Sequence, residues 1–279
     1  MPELPEVEAV ARTLRPLVRA RKIRGDYALH PIAAKPQKAA AFVRFLGKQK
    51  IRNVSRRGKY LILELGRGIL VLHFRLDGQL LWFSSARELE TKANRAPHNV
   101  HVDIAFELDR GVLGFADRRH FGRAGYFRSR EASNGLNSLG VDALSKDFTA
   151  ARLARLLKAS RRPLKEFLLD QSRVAGIGNI YSCESMWQAK IDPRRPANSL
   201  SKKEAAELYK AIVSVLRRAL ECCLDPPPDF RNPAWWFEGL ERILRAYGLE
   251  DKPCRRCGKL IRRIEQGGRS TYFCGQCQK

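Results

Sequence analysis

Four of the seven cysteines, Cys254, Cys257, Cys274 and Cys277, form two C-x-x-C pairs separated by sixteen residues. Two such knuckles are the spacing of a tetrahedral zinc ribbon. Two disulfides would use the same residues, but a chain without a secretory signal favours the metal. Four thiolates leave no open coordination position for water or substrate, so the sequence predicts one structural Zn2+ that folds the hairpin carrying Arg269. Cys183, Cys222 and Cys223 read as ordinary buried thiols.

A second candidate for chemistry is the chain start, Met1-Pro2-Glu3-Leu4-Pro5-Glu6. Removal of Met1 would leave Pro2 as a secondary α-amine. Such amines titrate at about 7.7 to 8.0, so a useful neutral fraction can attack an electrophilic carbon at physiological pH. Attack at a sugar C1′ gives an iminium, which acidifies the C2′ proton and allows the 3′-phosphate and then the 5′-phosphate to leave. Glu3 stands where it could protonate the opening sugar oxygen. On its own the tetrapeptide reads more simply as a helix N-terminus with favourably placed acids.

These groups need a scaffold. After a helix opening near Pro5, the stretch to Phe127 reads as strands and turns, with hairpins at 60–74 and 101–115 and a further strand at 123–127. A sandwich would bury that alternation. The Ser/Asn/Gly-rich stretch 129–140 marks a linker. Helical periodicity follows at 148–157, 164–169 and 181–189, then in a long helix opened by a capping box at Ser201 and Glu204. On that helix Tyr209, Ile212, Leu216, Ala219, Leu220 and Cys223 make a core stripe. The predicted fold class is α+β multidomain: an N-terminal β-sandwich with a leading helix (1–130), a linker (131–147), a helical domain (148–249) and a zinc-finger hairpin (250–279).

The chain has 279 residues, 44% of them hydrophobic, and a formal charge of +24. Its apolar stretches, such as Gly68–Leu72, are too short to span a bilayer, and its acidic start is unlike a signal peptide, so a cytoplasmic protein is expected. The positive excess favours a polyanion, nucleic acid first. Seven basic residues and no acid lie between Arg44 and Lys59, and eight against the single Glu265 between Lys252 and Lys279. Two separated basic surfaces suit a two-sided grip.

From one end to the other the chain resembles the formamidopyrimidine-DNA glycosylase/endonuclease VIII (Fpg/Nei) family. The resemblance rests on Met1–Glu8, Arg57-Gly58-Lys59-Tyr60-Leu61, Pro97-His98-Asn99-Val100-His101, Asp117-Arg118-Arg119-His120-Phe121-Gly122, Asp170–Tyr181 with Glu184, and the finger ending Cys277-Gln278, all in family order. The stretch Asp170–Tyr181 matches the family's helix-two-turn-helix signature. The resemblance implies Pro2 as Schiff-base nucleophile, Glu3 as proton donor, Lys59 as a phosphate-binding general acid and Arg269 as the helper in δ-elimination. It further implies DNA contacts by His98, Lys165 and Asn179, and a wedge of Leu76, Arg119 and Phe121 that fills the gap left by a flipped base. In the turn at Gly176 and Gly178, exposed N–H groups could approach a phosphate, or the glycines could simply permit a tight turn. The implied activity is excision of oxidised or ring-opened bases from double-stranded DNA, with cleavage at abasic sites, by a monomer.

The sequence also departs from the family. Arg75 stands where glycine is usual and Leu76 where methionine is commoner. Cys223-Leu224 replace a glycine pair, three prolines follow, Asn232–Phe237 has no counterpart, and Leu249 replaces the usual arginine. The segment that covers the flipped base is therefore expected to be stiffer and differently shaped, favouring ring-opened bases and abasic sites over 8-oxoguanine. An endonuclease VIII-like preference for pyrimidines and a non-catalytic damaged-DNA-binding module are the alternatives. Leu4 and Val7 speak against the first, and the joint presence of Pro2, Glu3, Lys59 and Arg269 against the second.

Overall fold

The computed structural model describes residues 2–28, 30–35, 37–92, 101–232, 235, 237 and 239–279. They fall into two compact units. The first comprises residues 1–2, 6–137 and 223–237, the second 3–5, 138–222 and 238–279.

Helix α1 (Leu4–Val18), which belongs to the first unit from Glu6 onward, leads into strands β1 (Ile23–Ala28), β2 (Ile51–Arg57), β3 (Tyr60–Leu65), β4 (Ile69–His73), β5 (Gln79–Phe83), β6 (Val102–Leu108), β7 (Val112–Ala116) and β8 (Arg123–Phe127). Helices α2 (Ala39–Leu46), α3 (Ala86–Lys92) and α4 (Asn134–Asn137) interrupt or follow them. The strands form two antiparallel four-stranded sheets, ordered β2-β3-β4-β8 and β1-β6-β7-β5. The expected hairpins are present: Tyr60 opposes His73 across β3 and β4, and Glu107 opposes Val112 across β6 and β7. Both faces of the β3–β4 hairpin are covered, since Leu61, Ile62, Leu63, Leu70, Val71 and Leu72 are all buried. That is why this part of the sequence reads as continuous apolar runs rather than as a clean alternation. Helix α2 was not expected within this strand-rich stretch. Its AAAFVRFL sequence opens with three strong helix formers and buries Phe42 and Leu46 on one side.

The second unit contains β9 (Val141–Asp142), α5 (Ala150–Lys158), α6 (Leu164–Leu169), β10 (Val174–Ala175), α7 (Asn179–Ala189), α8 (Lys202–Cys223), α9 (Leu240–Ile243), β11 (Arg262–Gln266) and β12 (Arg269–Phe273). Thr149 caps α5 by accepting from the Arg152 N–H. The capping box opening α8 is reciprocal: Ser201 N–H donates to Glu204 Oε2 at 2.7 Å and Glu204 N–H to Ser201 Oγ at 3.2 Å. Ile212, Leu216 and Ala219 of the expected stripe join Phe148, Phe167 and Tyr181 in one core.

The two compact units group the sequence segments in a particular way. The finger belongs to the same compact unit as the helices because side chains bind it there. Gln278 Nε2 donates to Ile191 O and Arg256 lies over the Trp187 ring at 3.7 Å, while just ahead of the finger the buried Glu184 carboxylate accepts from the N–H groups of Arg245, Ala246 and Tyr247, each at 2.8 Å. Residues 223–237 belong to the first unit. There Trp82 N–H donates to Phe230 O at 2.7 Å and Trp235 Nε1–H to Leu80 O at 2.9 Å, so the segment pairs with the otherwise open edge of β5. Trp235 meets Phe230 and Phe237 edge-on at 5.5 and 5.4 Å, a small aromatic cluster nearly closed to solvent.

Candidate functional site

The chain start is held from below by the turn that opens α7. Glu3 is 1% exposed, and its carboxylate accepts from the N–H groups of Gly178 at 2.6 Å and Ile180 at 2.9 Å, with Tyr181 N–H at 3.5 Å. A carboxylate over the first N–H groups of a helix satisfies donors that have no intrahelical acceptor and meets the positive end of the helix dipole. Leu4 N–H then donates to Gly176 O at 3.1 Å. Gly176 takes φ +105, and a Cβ there would lie 2.3 Å from Leu4 Cδ1, so only glycine fits against the chain start. Gly176 N–H itself is taken by Gln171 Oε1. The two glycines therefore do not offer N–H groups to a phosphate, as the sequence allowed; both donors are already bound inside the protein. Pro2, one residue before this anchor, is buried.

Asn179 opens α7, and its Nδ2 donates to Ser270 O at 3.0 Å. Ser270 follows Arg269, which is exposed at the start of β12 and pairs with Gln266 across a Gly267-Gly268 turn of positive φ at both residues. Glu3, Asn179 and the Arg269 hairpin are thus joined through one helix terminus. Lys165 departs from the expected DNA contact. It is 0% exposed, and its Nζ donates to Asn179 O, Ser182 Oγ and Cys183 Sγ at 3.1, 2.8 and 2.9 Å. A buried ammonium needs its three donors satisfied, and here that need fixes the first turn of α7.

Lys59 lies in the first unit, 8% exposed, between β2 and β3 where Gly58 takes φ +56. Beneath the turn Arg56 donates to Gly58 O and pairs with Glu8 of α1 at 3.0 Å. Burial pushes the Glu8 carboxyl up, and the Arg12 and Arg56 guanidiniums outweigh it, holding the group below its usual range. Sequence reasoning missed His73, whose ring stands edge-on to Tyr60 at 4.6 Å. Burial, reinforced by the positive charges of Arg75 and Lys59, drives its pKa down to about 3. The neutral ring accepts from Arg75 N–H through Nδ1 at 3.0 Å. Its signal in the sequence was only its register opposite the residue after Lys59.

Of the three residues expected to form a wedge, Arg119 and Phe121 meet in the same unit, and Arg119 reaches the turn that holds Leu76. Arg119 Nε lies 3.7 Å from Asp77, in the turn that carries Leu76, and its guanidinium lies 4.8 Å from the ring centre of Phe121, which is 44% exposed. The loop is shaped by Asp117, another residue the sequence reading left without a role. Its carboxylate accepts from the N–H groups of Arg119, Phe121 and Gly122. Arg75, in the glycine position of the motif, takes φ +55, a left-handed conformation that costs a non-glycine residue about 1 kcal/mol or more. His98 lies outside the described residues.

The four cysteine Sγ atoms lie within 4.8 Å of one another, with Cys254 to Cys277 at 4.0 Å and Cys257 to Cys274 at 3.5 Å. Zn–S bonds of about 2.3 Å in a tetrahedron place sulfurs roughly 3.8 Å apart, so the donor set fits zinc.

Comparison with known proteins follows this geometry closely. Residues 1–124 match the formamidopyrimidine-DNA glycosylase N-terminal domain, 139–224 the formamidopyrimidine-DNA glycosylase H2TH domain, and 251–279 the zinc finger found in FPG and IleRS. The formamidopyrimidine-DNA glycosylases of Pelotomaculum thermopropionicum and Cytobacillus firmus are 37% and 38% identical to the chain, each alignment covering 100% of it and 99% and 100% of the relative. The chain belongs to the formamidopyrimidine-DNA glycosylase family. It is a DNA glycosylase of base excision repair with one structural zinc, held by Cys254, Cys257, Cys274 and Cys277. Among solved structures, Lactococcus lactis Fpg in complex with DNA containing an oxidised pyrimidine superposes with a TM-score of 0.87 at 30% identity over 100% of both chains. The same enzyme with abasic-site DNA gives 0.86 at 29% over 99% of both. The three matched regions leave out 225–250, the segment that departs from the family in sequence.

Proposed function

We propose that this glycosylase is bifunctional, using Pro2 as a Schiff-base nucleophile to excise oxidised or ring-opened bases from duplex DNA and then to cleave the strand by β- and δ-elimination. The anchoring of the chain start carries this reading: Glu3 and Leu4 are bound to the turn at 176–181, so the residue before them is held in one place. With Met1 removed, the Pro2 amine attacks C1′ as the damaged base leaves with a proton, giving the iminium. Loss of the C2′ proton then expels the 3′-phosphate, and a second elimination expels the 5′-phosphate. Glu3 serves the opening sugar oxygen. Lys59 binds phosphate and delivers a proton on the neutral His73 side of the first unit, and Arg269 presents its guanidinium to the phosphate that leaves last.

Leu76, Arg119 and Phe121 fill the gap in the stack, and Asn179 supports the Arg269 hairpin at the DNA backbone. The enzyme acts as a cytoplasmic monomer on damaged or abasic duplexes. Among the described residues no helix is long and apolar enough to cross a membrane. The Lactococcus lactis relative is solved with DNA containing an abasic site, an oxidised pyrimidine or N7-benzyl-Fapy-dG, which supports a substrate range centred on grossly altered bases. The deciding experiment is borohydride trapping on abasic DNA. Wild-type enzyme is expected to become covalently attached, and Pro2→Gly to lose attachment and strand cleavage while still binding the duplex. Undiminished trapping by Pro2→Gly would assign the nucleophile elsewhere.

A further inference from the structure

Outside the cysteine cluster, one other group of potential ligands converges among the described residues. His30, Asp103 and His120 place their donor atoms within 4.8 Å of one another. Asp103 is 1% exposed on β6, His30 precedes the short 3-10 helix Pro31–Ala34, and His120 sits between Arg119 and Phe121 in the loop after β7. The backbone holds the first two together, since His30 N–H donates to Asp103 O at 2.9 Å. The rings of His30 and His120 stack at 4.1 Å, and His101 packs edge-on against His120 at 5.8 Å.

A simple Asp–His pair accounts for only part of this arrangement. His120 Nδ1 meets Asp103 Oδ1 at 2.6 Å, which satisfies one oxygen and one nitrogen. Asp103 Oδ2 and His30 Nδ1 are buried with no hydrogen-bond partner among the described residues. A carboxylate oxygen and an imidazole nitrogen left bare within one buried cluster are costly unless something charged binds them. Two imidazoles and a carboxylate are a donor set suited to a divalent transition metal, bound at about 2.0 to 2.2 Å from each donor.

We propose that His30, Asp103 and His120 form a second metal site, selective for Zn2+-like divalent ions and separate from the four-cysteine centre. The ion replaces the proton between His120 and Asp103, draws in His30, and leaves a position for water. Its place in the chain gives it a task. His120 is flanked by Arg119 and Phe121, so an ion tying it to β6 and to His30 fixes the loop that enters the DNA stack. The site itself stands on geometry alone, whereas its effect on the wedge rests on the function proposed above.

The test uses the full chain with its finger already loaded with one Zn2+, titrated with Zn2+ alone and followed by calorimetry and metal analysis. A second equivalent is expected in the wild type and is expected to vanish in His30→Ala and in His120→Ala, each retaining the first. Total uptake of one equivalent by the wild type overturns the site, as does a second equivalent that survives His30→Ala. His30 is partly exposed, so its variant remains informative if His120→Ala misfolds. Co2+ gives an independent reading: the second equivalent should add visible bands without thiolate charge-transfer absorption. A 2-aminopurine placed opposite an abasic analogue then reports the wedge, and its response should become metal-dependent only in the wild type. Retained uptake without that response leaves the metal site standing and removes its link to the wedge.

Discussion

Gly176 shows at residue scale how a motif can be visible while its job is not. The sequence marks it as a turn glycine, yet nothing in the local pattern says that Leu4, more than 170 positions away, will press against its missing side chain. Gly176→Ala should therefore displace Glu3 and Leu4. Excision and trapping are expected to fall at least tenfold, with a stability loss of about 1 to 3 kcal/mol from the left-handed backbone and the clash, seen in urea midpoints. Equal activity of the variant would show that the chain start is positioned by something else. His73 makes a pH prediction. Its ring titrates at the usual 6.5 when unfolded and at about 3 when folded, so between these values the unfolded chain holds a proton that the folded one lacks. Its contribution to stability is complete above 6.5 and is lost as the pH falls toward 3. His73→Asn keeps an acceptor for Arg75 N–H and should narrow the gap between urea midpoints at pH 7 and pH 4.5.

At the scale of elements, the segment after α8 was legible as unusual but not as a strand partner. Its prolines and tryptophans implied stiffness; that Phe230 O and Trp235 would close the edge of β5 depends on a contact about 150 residues distant, which local composition cannot reveal. Trp235→Ala is expected to destabilise the protein by about 3 to 5 kcal/mol, and Trp235→Phe by roughly 1 to 3 kcal/mol through the acceptor left at Leu80 O. Single-turnover excision of 8-oxoguanine and of a ring-opened base, each opposite cytosine, tests the associated specificity. The ring-opened base should leave faster, and equal rates would show that the altered segment does not govern choice. By contrast, the α8 capping box, α6 and β8 were readable because each is decided within a few residues. Helix α2 was masked by its strand-rich neighbourhood, and the roles of Asp117 and Glu184 by donors that only the fold delivers.

For the molecule as a whole, the charge of +24 implies DNA binding that weakens steeply with salt, and a loss of zinc should remove part of that affinity. Cys274→Ala is expected to bind no metal at the finger and to lose DNA affinity through the Arg269 hairpin, as metal analysis and a binding titration would show. A metal-free preparation with normal affinity would contradict the structural role of the ion.

The division of the chain between its two units also bears on how the protein is made. The sandwich needs residues 223–237, and residues 3–5 wait for the turn at 176–181. A ribosome adding roughly 5 to 20 residues per second must therefore extend the nascent polypeptide for about 5 to 20 seconds after the last sandwich strand emerges before β5 is covered. During that interval an unclosed strand edge is exposed to other nascent chains and to chaperones. A ribosome stalled near residue 137 should display a sticky, protease-sensitive intermediate, and supplying the 223–237 peptide in trans should quiet it.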